Sequence, residues 1–278
     1  MQLINKGRIL RTFDKDALAI INTIRDVDSI ILTQDERWYV NHIVSGFKAI
    51  GVWTKIKALY GFVGGTAATH KWNWKDMRDL DGAFRLTFPN VSTAWSFSTK
   101  GTKSISTAGT DIINTHIPAS SLFYNNVSLG IYITEYVQNG SSSDLDIGVN
   151  QDDNITRNLY LTVGFSSNAS IISAGKVFSS SNILNGNRTG RGYGCISRLG
   201  TTILLLNNNN IINTSPTLGN SNTFASGLVG IGGGNGGDGA VKTLKTYGFA
   251  YIGEGLTQQQ ALQMSHIITT AQSILGRK

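Results

Sequence analysis

Two aspartates separated by a single residue, Asp144 and Asp146, are the nearest approach in this sequence to a catalytic carboxylate pair. Glycoside cleavage uses two carboxyl groups that flank the scissile bond. The third carboxylate that would complete such a set is missing, so we do not expect an enzyme. Together with Asp152 and Asp153, these acids could instead bind calcium through loop oxygens. We favour the alternative that they are solvated turn acids and that no metal is bound.

Trp72 and Trp74 flank Asn73 and form the most distinctive aromatic pair of the chain. If exposed, such a pair is a weak candidate for a ligand-binding platform on which a sugar or a base stacks. Because large aromatic side chains dominate protein cores, we favour packing at the edge of a sheet. His42 and His266 lack an Asp, Glu or Cys at ligand spacing, which argues against a metal site.

The glycine-rich stretch 230–239 contains G-x-G-like spacings. A dinucleotide fingerprint must lead into a helix, whereas this stretch leads into the predicted strand that starts at Lys242. It is therefore interpreted as a loop between strands. Neither a phosphate-binding G-x-x-x-x-G-K-[ST] motif nor H-E-x-x-H or G-x-S-x-G occurs. We expect no cofactor.

The composition narrows the choice of partner and compartment. The 278 residues include 24 Lys and Arg against 17 Asp and Glu, a formal charge of +7. These basic residues are scattered rather than gathered in a stripe, so a nucleic-acid partner is not expected. Cys195 is the only cysteine, so no intrachain disulfide can form. The sequence shows neither a signal peptide nor a membrane span, which predicts synthesis in a host cytoplasm.

Helices are predicted at both ends of the chain. The first covers Asp14 to Asp28, and the second starts at the N-cap Thr33. A closing helix follows Thr257, where Gln260 completes a capping box. Its predicted apolar face contains Leu262, Ile267, Ala271 and Ile274. Its opening residues match those of the second helix, so we expect the two helices to pack on one sheet or on each other.

Between these helices the apolar residues recur with the period of strands. About a dozen short segments from Ala83 onward alternate in this way, separated by turn residues. The last strand is expected to place Tyr247, Phe249 and Tyr251 on one face. This pattern predicts a mainly-β, two-sheet jelly-roll sandwich with N-terminal helices and a closing C-terminal helix.

Two segments resemble a known family. They are Y60-GFVGGTAATHKWNWKD and R78-DLDGAFRLTF, and the chain closes with F249-AYIGEGLT before its last helix. These segments resemble phage virion proteins, commonly called tail or structural proteins, that carry a concanavalin A-like (laminin-G-like) sandwich. The resemblance covers residues 32–110 and 246–277, and it brings no catalytic residues with it.

The resemblance implies a non-enzymatic structural component of a tail, spike, fibre or capsid vertex, located in the virion. Residues 1–80 would dock to other virion proteins and 81–278 would form the sandwich. Host surface polysaccharide is a further possible partner, through host attachment. The alternatives are a carbohydrate-binding lectin-like module and, less favoured, a glycan-cleaving enzyme.

A homo-oligomer, most simply a trimer, is also predicted. The first eighty residues carry more large aromatics than one sandwich edge is expected to cover, and apolar area of that kind marks interfaces. Appendages of the type resembled are commonly threefold. The residues that motivate this prediction are Trp38, Trp53, Tyr60, Phe62, Trp72 and Trp74.

Overall fold

The computed structural model describes residues 12–105, 111–136, 146–149, 159–161, 163, 169–174, 183–185, 190–215, 227–233 and 244–277. The helices are α1 (Lys15–Asp28), α2 (Gln34–Ala49), α3 (Ala67–His70), α4 (Val91–Ala94) and α5 (Gln258–Ile274). Single 3-10 turns span Trp53–Lys55, Asp81–Ala83 and Ala119–Ser121. The strands are β1 (Ile56–Tyr60), β2 (Trp95–Ser98), β3 (Gly101–Ser104), β4 (Ile113–Pro118), β5 (Asn126–Glu135), β6 (Ile147–Val149), β7 (Leu159–Leu161), β8 (Ala169–Ala174), β9 (Ile183–Asn185), β10 (Gly192–Leu199), β11 (Thr202–Asn207), β12 (Asn210–Ser215), β13 (Leu228–Ile231) and β14 (Thr246–Gly253).

The strands form two antiparallel sheets. Sheet A has eight strands in the order β12-β11-β10-β5-β14-β3-β2, with β1 also paired to β14. Sheet B has six strands in the order β4-β13-β6-β7-β8-β9. β14 is central to sheet A because β5 pairs with one of its edges and both β3 and β1 pair with the other.

The two sheets pack face to face around an apolar core. Sheet A contributes alternate residues of β5, among them Leu129 and Ile131, and sheet B contributes Ile147, Val149 and Ile231. All five are fully buried, and each such side chain contributes about 1.5–3 kcal/mol through removal from water. The predicted mainly-β, two-sheet sandwich is confirmed, with helices at both ends of the chain.

A layer of helices covers the other face of sheet A. α1, α2 and α5 share a second apolar cluster with residues of β14 and β10. Phe47 of α2 meets Phe249 edge-on, with ring centroids 6.3 Å apart. α2 and α5 also pack against each other, as their matching starts predicted. The central strands of sheet A are therefore buried on both faces.

The helix starts follow the predicted capping chemistry. The side chain of Asp14 accepts the backbone N–H of Asp16 at the start of α1. Thr33 and Glu36 form a reciprocal capping box on α2, and Thr257 and Gln260 form another on α5. Each box satisfies two backbone donors that helix geometry leaves unpaired, which explains why all three starts could be predicted.

The buried face of α5 is rotated from the predicted one. Among its apolar residues, Ala261, Met264, Ile268 and Ala271 are fully buried. Leu262, Ile267 and Ile274 were predicted to form the face but are only partly buried. The cause is that α5 touches two partners, sheet A and α2, so its apolar contacts spread over a wider arc than a single stripe.

The last strand also departs from simple alternation. Tyr247 lies in the core between the sheets with Ala250 and Ile252, whereas Phe249 and Tyr251 face the helices. The register between β14 and β5 shifts between Tyr247 and Phe249. A β-bulge there inserts one extra residue and turns the chain over, so the prediction that Tyr247 shares a face with Phe249 is wrong.

The predicted boundary near residue 80 does not coincide with a break in the described fold. β1 is a strand of sheet A, and α1 and α2 share a core with β10 and β14. Of the aromatics that motivated the oligomer, Tyr60, Phe62, Trp72 and Trp74 are buried within one chain. Trp38 and Trp53 are partly exposed. The trimer stays a prediction, but most of the apolar area offered for it is already covered.

Two further observations concern the helices and the single cysteine. None of the described helices is both long and apolar enough to cross a bilayer. Cys195 is free and buried, with its sulfur 3.1 Å from the hydroxyl of Tyr251. Burial raises the pKa of this thiol to about 11, so it is protonated and unreactive near neutral pH.

Candidate functional site

A ligand can reach only part of the sandwich. The central strands of sheet A lie between sheet B and the helices, so neither face is open there. Edges, loops and the outer face of sheet B remain. Along β4, at the edge of sheet B, the buried residues Ile113, Thr115 and Ile117 alternate with the partly exposed Asn114 and His116.

A continuous row of polar side chains lies at this edge, and we call it the polar edge. Its contacts run from one residue to the next without a gap. Lys71 Nζ lies 2.6 Å from Asp79, Arg85 Nη1 lies 2.8 Å from Asp79 and Arg85 Nε lies 3.0 Å from Asp81. At its other end, His116 Nε2 lies 3.5 Å from Asp81 Oδ1 and 2.8 Å from the hydroxyl of Thr87. Its members are Lys71, Asp79, Asp81, Arg85, Thr87 and His116.

The backbone holds the polar edge rigidly. Thr87 and Asn114 exchange two backbone hydrogen bonds of 3.0 Å, which add the segment around Thr87 to the edge of β4. The N–H of Leu86 donates to the carbonyl of Lys71 at 2.7 Å. The 3-10 turn Asp81–Ala83 ends at Phe84, which has a φ of 61°. The charged side chains therefore project from anchored backbone rather than from a free loop.

His116 is placed by a strained bulge. Leu228 pairs with Pro118 and Gly230 with Asn114, so residues 115–117 oppose Val229 alone. His116 has a φ of 57°, and its N–H donates to Asn114 Oδ1 at 2.8 Å. A positive φ is uncommon for a residue with a side chain and concentrates at functional positions. The bulge turns the imidazole outward toward Thr87.

The charges of the polar edge are fixed by its contacts. Partial burial lowers the pKa of His116, although Asp81 opposes this, so the ring is neutral near pH 7. Burial alone would raise the pKa of Asp79, but hydrogen bonds from Lys71 and Arg85 outweigh it and leave the pKa lowered. The row thus combines two carboxylates, those of Asp79 and Asp81, with two cations and a neutral ring.

The arrangement does not assemble a nucleophilic relay. In a Ser-His-Asp triad the hydroxyl and the carboxylate contact opposite nitrogens of the ring. Here Thr87 and Asp81 both approach Nε2 of His116. The same atom cannot accept the hydroxyl proton and be held by the acid, so the geometry suits ligand binding better than acyl or glycosyl transfer.

Aromatic surface adjoins the polar edge. The partly exposed ring of Phe84 has Lys57 Nζ 5.4 Å from its centroid. The same ammonium lies 3.1 Å from Ser121 Oγ, two residues before Phe123. Phe123 is 72% exposed. Phe84, next to Arg85 in the chain, therefore places a partly exposed ring beside the polar edge.

The two predicted stacking residues do not form an open platform. Trp72 is 1% exposed and donates from Nε1 to Asp28 at 2.6 Å. Trp74 is 3% exposed and packs edge-on against Tyr39, with centroids 5.9 Å apart. A sugar or base cannot reach either ring face in this arrangement, so the candidate role in ligand binding is withdrawn. Both indoles fill the core beneath the N-terminal helices.

The structure does not support the predicted acidic site at Asp146. Asp146 is fully buried, and both of its carboxylate oxygens lie 2.9 Å from Lys245 Nζ. It is neither a solvated turn acid nor a calcium ligand, because a lysine occupies the position of a cation. Asp144, Asp152 and Asp153 lie outside the described residues. Among the described residues, no group of three His, Cys, Asp or Glu side chains could hold a metal ion.

The remaining predicted features are structural where they are described. His42 on α2 is partly buried and His266 on α5 is exposed. Gly230 and Gly232 belong to β13 and the turn after it, and residues 234–239 of the glycine-rich stretch lie outside the described residues. The polar edge itself was missed. Its one signal in the sequence is the charged run from Lys71 to Arg85, which the scattered distribution of basic residues did not set apart.

Comparison with known proteins defines the fold and leaves the family open. No protein-family model and no curated protein sequence matches this chain. A solved structure of a mutant Trypanosoma rangeli sialidase displaying trans-sialidase activity is similar with a TM-score of 0.52 at 9% identity. The match covers 87% of this chain and 40% of the sialidase, so this chain spans well under half of that protein's length.

Two further solved structures are similar. The same sialidase with 2,3-difluorosialic acid, as its covalent intermediate, has a TM-score of 0.52 at 9% identity, with 86% and 39% coverage. Domain 4 of AbnA, an extracellular arabinanase from Geobacillus stearothermophilus, in complex with arabinotriose, has a TM-score of 0.48 at 16% identity. That match covers 76% of this chain and 98% of the domain. At these identities the sialidase matches define a shared sandwich fold and nothing more.

Proposed function

We propose that this chain is a glycan-binding β-sandwich module that holds its ligand at the polar edge and does not cleave it. The observation that carries the proposal is the unbroken row of contacts from Lys71 to Thr87 on anchored backbone, with exposed aromatic surface beside it. The sandwich fold shared with part of a sialidase is consistent with a glycan ligand but does not by itself assign one.

The polar edge presents the groups that recognise sugar hydroxyls. A guanidinium carries five N–H donors. Arg85 uses the Nε–H in its contact with Asp81 and one Nη1–H in its contact with Asp79. The remaining donors can reach a ligand, since about a third of this side chain is exposed (35%). The side chain of Asp81 is 56% exposed, and its carboxylate can accept hydrogen bonds from sugar hydroxyls. Neighbouring hydroxyls of one sugar ring need such a pairing of donor and acceptor.

Rigidity is what makes these groups useful. An exposed Arg normally loses rotamer freedom when it binds, at about 0.5–1.5 kcal/mol per immobilised side chain. Two carboxylates already hold Arg85 in the folded protein. Most of this loss of rotamer entropy therefore occurs during folding rather than during binding. The neighbouring Phe84 and Phe123 offer apolar surface to the C–H face of a sugar ring.

The absence of cleavage is part of the proposal. Asp146, the candidate acid of the only predicted carboxylate pair, is sealed in the core. The polar edge approaches its histidine from one nitrogen only. These observations favour a binding module over the glycan-cleaving alternative, and reducing-sugar release from a bound polysaccharide would contradict them.

The biological setting follows from the sequence resemblance alone. A virion protein of a phage tail, spike, fibre or capsid vertex that meets host surface polysaccharide would use a module of this kind. Other virion proteins as partners, and a homo-oligomeric assembly, belong to the same proposal. An exposed edge on an anchored scaffold suits such attachment.

A glycan array with the whole chain tests the proposal, followed by calorimetry with the strongest oligosaccharide. Hydrogen bonds to charged groups contribute about 1.5–3 kcal/mol each. Arg85→Ala should therefore weaken binding by roughly 10- to 100-fold. Arg25→Ala is the matched control, because Arg25 is an exposed arginine paired with Asp26 on α1. An array without binding, or equal affinities for the two variants, contradicts the proposal.

A further inference from the structure

A lysine and an aspartate meet inside the sandwich with no access to water. Lys245 Nζ lies 2.9 Å from both carboxylate oxygens of Asp146, and each side chain is 0% exposed. The other ion pairs of the described residues remain partly open to solvent. A buried pair of this kind is costly, since desolvation of two charges rivals their attraction.

The pair joins the two sheets. Asp146 immediately precedes β6 of sheet B, and Lys245 immediately precedes β14 of sheet A. Their side chains therefore bridge the core from opposite walls of the sandwich. The single cysteine of the chain excludes an intrachain disulfide for this purpose.

Neighbouring groups orient both partners. The N–H of Val163 donates to Asp146 Oδ2 at 2.6 Å, and the hydroxyl of Tyr247 donates to Oδ1 at 3.1 Å. The carbonyl of Val163 accepts from Lys245 Nζ at 2.9 Å. Burial raises the pKa of Asp146 even though Lys245 opposes the shift, which favours the neutral acid.

We propose that Lys245 and Asp146 condense into an intramolecular amide that covalently ties sheet A to sheet B. The ammonium of Lys245 first gives a proton to the carboxylate of Asp146. The neutral Nζ then attacks Cγ and forms the Nζ–Cγ bond. A second proton passes from Nζ to the departing carboxyl oxygen, which leaves as one water molecule. The amine and the acid become an amide and water, with no oxidant, reductant or further reactant.

The site supplies what this condensation needs. Lys245 Nζ is held 2.9 Å from both carboxylate oxygens and therefore stays beside Cγ. Well-oriented intramolecular reactions reach effective molarities of about 10⁵–10⁸ M. The hydroxyl of Tyr247 can donate to the oxygen on which negative charge develops in the tetrahedral intermediate. The carbonyl of Val163 can keep its hydrogen bond to the N–H that remains in the amide. Because the core excludes water, the product is protected from hydrolysis.

The mass of the intact chain tests the proposal. The folded, full-length protein, denatured just before electrospray measurement, should be lighter than its sequence by one water molecule. Tryptic digestion should yield a branched peptide in which the segment with Asp146 is joined to the segment with Lys245, without cleavage after Lys245. Lys245→Arg should show its full sequence mass, and Lys100→Arg, which changes an exposed lysine, should still lack one water.

The wild-type chain alone decides the outcome, even if the Lys245 variant fails to fold. A mass that falls by one water during incubation of the folded protein supports a slow condensation. The full sequence mass after prolonged incubation, with no branched peptide, overturns the proposal and leaves the pair as a buried ion pair. The result does not depend on glycan binding, which is measured at a separate site.

Discussion

The packing of the closing helix predicts a sharp difference between two substitutions on α5. Ile268 is fully buried in the cluster between the helices and sheet A, whereas Leu262 is only partly buried at its margin. Truncation of a buried Ile to Ala costs about 2–5 kcal/mol, because transfer energy is lost and a cavity remains. Ile268→Ala should therefore lower the midpoint of thermal unfolding by roughly 5–15 °C. Leu262→Ala should cost about 1 kcal/mol, since its side chain keeps contact with water.

Denaturant unfolding of the two variants measures these costs directly. Equal slopes with denaturant would show that only native stability has changed. The face predicted from the sequence includes Leu262 and leaves out Ile268, so it predicts the opposite order. A loss for Leu262→Ala that equals or exceeds the loss for Ile268→Ala would refute the orientation of α5 described above.

Two other predictions concern the core. Burial lowers the pKa of His70 to about 3 from an ordinary value of 6.5, so between these limits the unfolded chain binds the extra proton. The free energy of unfolding should then fall as the pH falls, by at most about 1.4 kcal/mol per pH unit. His70→Phe should show a shallower fall over the same range, and parallel curves would argue against the assignment. A Cβ at Gly61 would lie 2.0 Å from the ring of Trp74, and one at Gly82 would meet only Leu80 at 3.5 Å. Gly61→Ala should lower the free energy of unfolding by about 1–3 kcal/mol or more. Gly82→Ala should lower it by less than about 0.5 kcal/mol. Similar losses for the two variants in denaturant unfolding would show that Trp74 is not packed against Gly61.

Local chemistry made much of the fold predictable from the sequence. Capping residues mark helix starts because the first backbone donors need partners nearby in the chain. Thr33 and Thr257 were found for this reason. The turn at Asn208 and Asn209, both at positive φ, follows the same logic, because Asn tolerates the left-handed region. Strand periodicity likewise predicted two sheets.

Orientation was harder to predict because it depends on distant partners. The face of α5 is set jointly by α2 and sheet A. The bulge in β14 falls at Gly248, and a glycine inside a strand often marks a bulge, but the regular alternation of Tyr247, Phe249 and Tyr251 masked this signal. Burial of Trp72 depends on Asp28, 44 residues away in the sequence. Periodicity reports which residues alternate, but it carries no information on these long-range contacts.

The candidate site could not be predicted from the sequence either, because it also depends on contacts between residues far apart in the chain. Thr87 and His116 are 29 residues apart, and Asp146 and Lys245 are 99 apart. Each residue alone reads as an ordinary polar residue. Only the pairing of Thr87 with Asn114, and the crossing of the two sheets, bring these side chains together.

Localisation of the ligand is the most direct test of the central claim. The oligosaccharide selected on the array is titrated into uniformly ¹⁵N-labelled protein, and backbone amide shifts are followed. We predict saturable shifts at Arg85, Thr87 and His116, with none along the exposed face of α1 around Arg25. Saturable shifts confined to any other surface, or no shifts at millimolar ligand, would contradict the assignment of glycan binding to the polar edge.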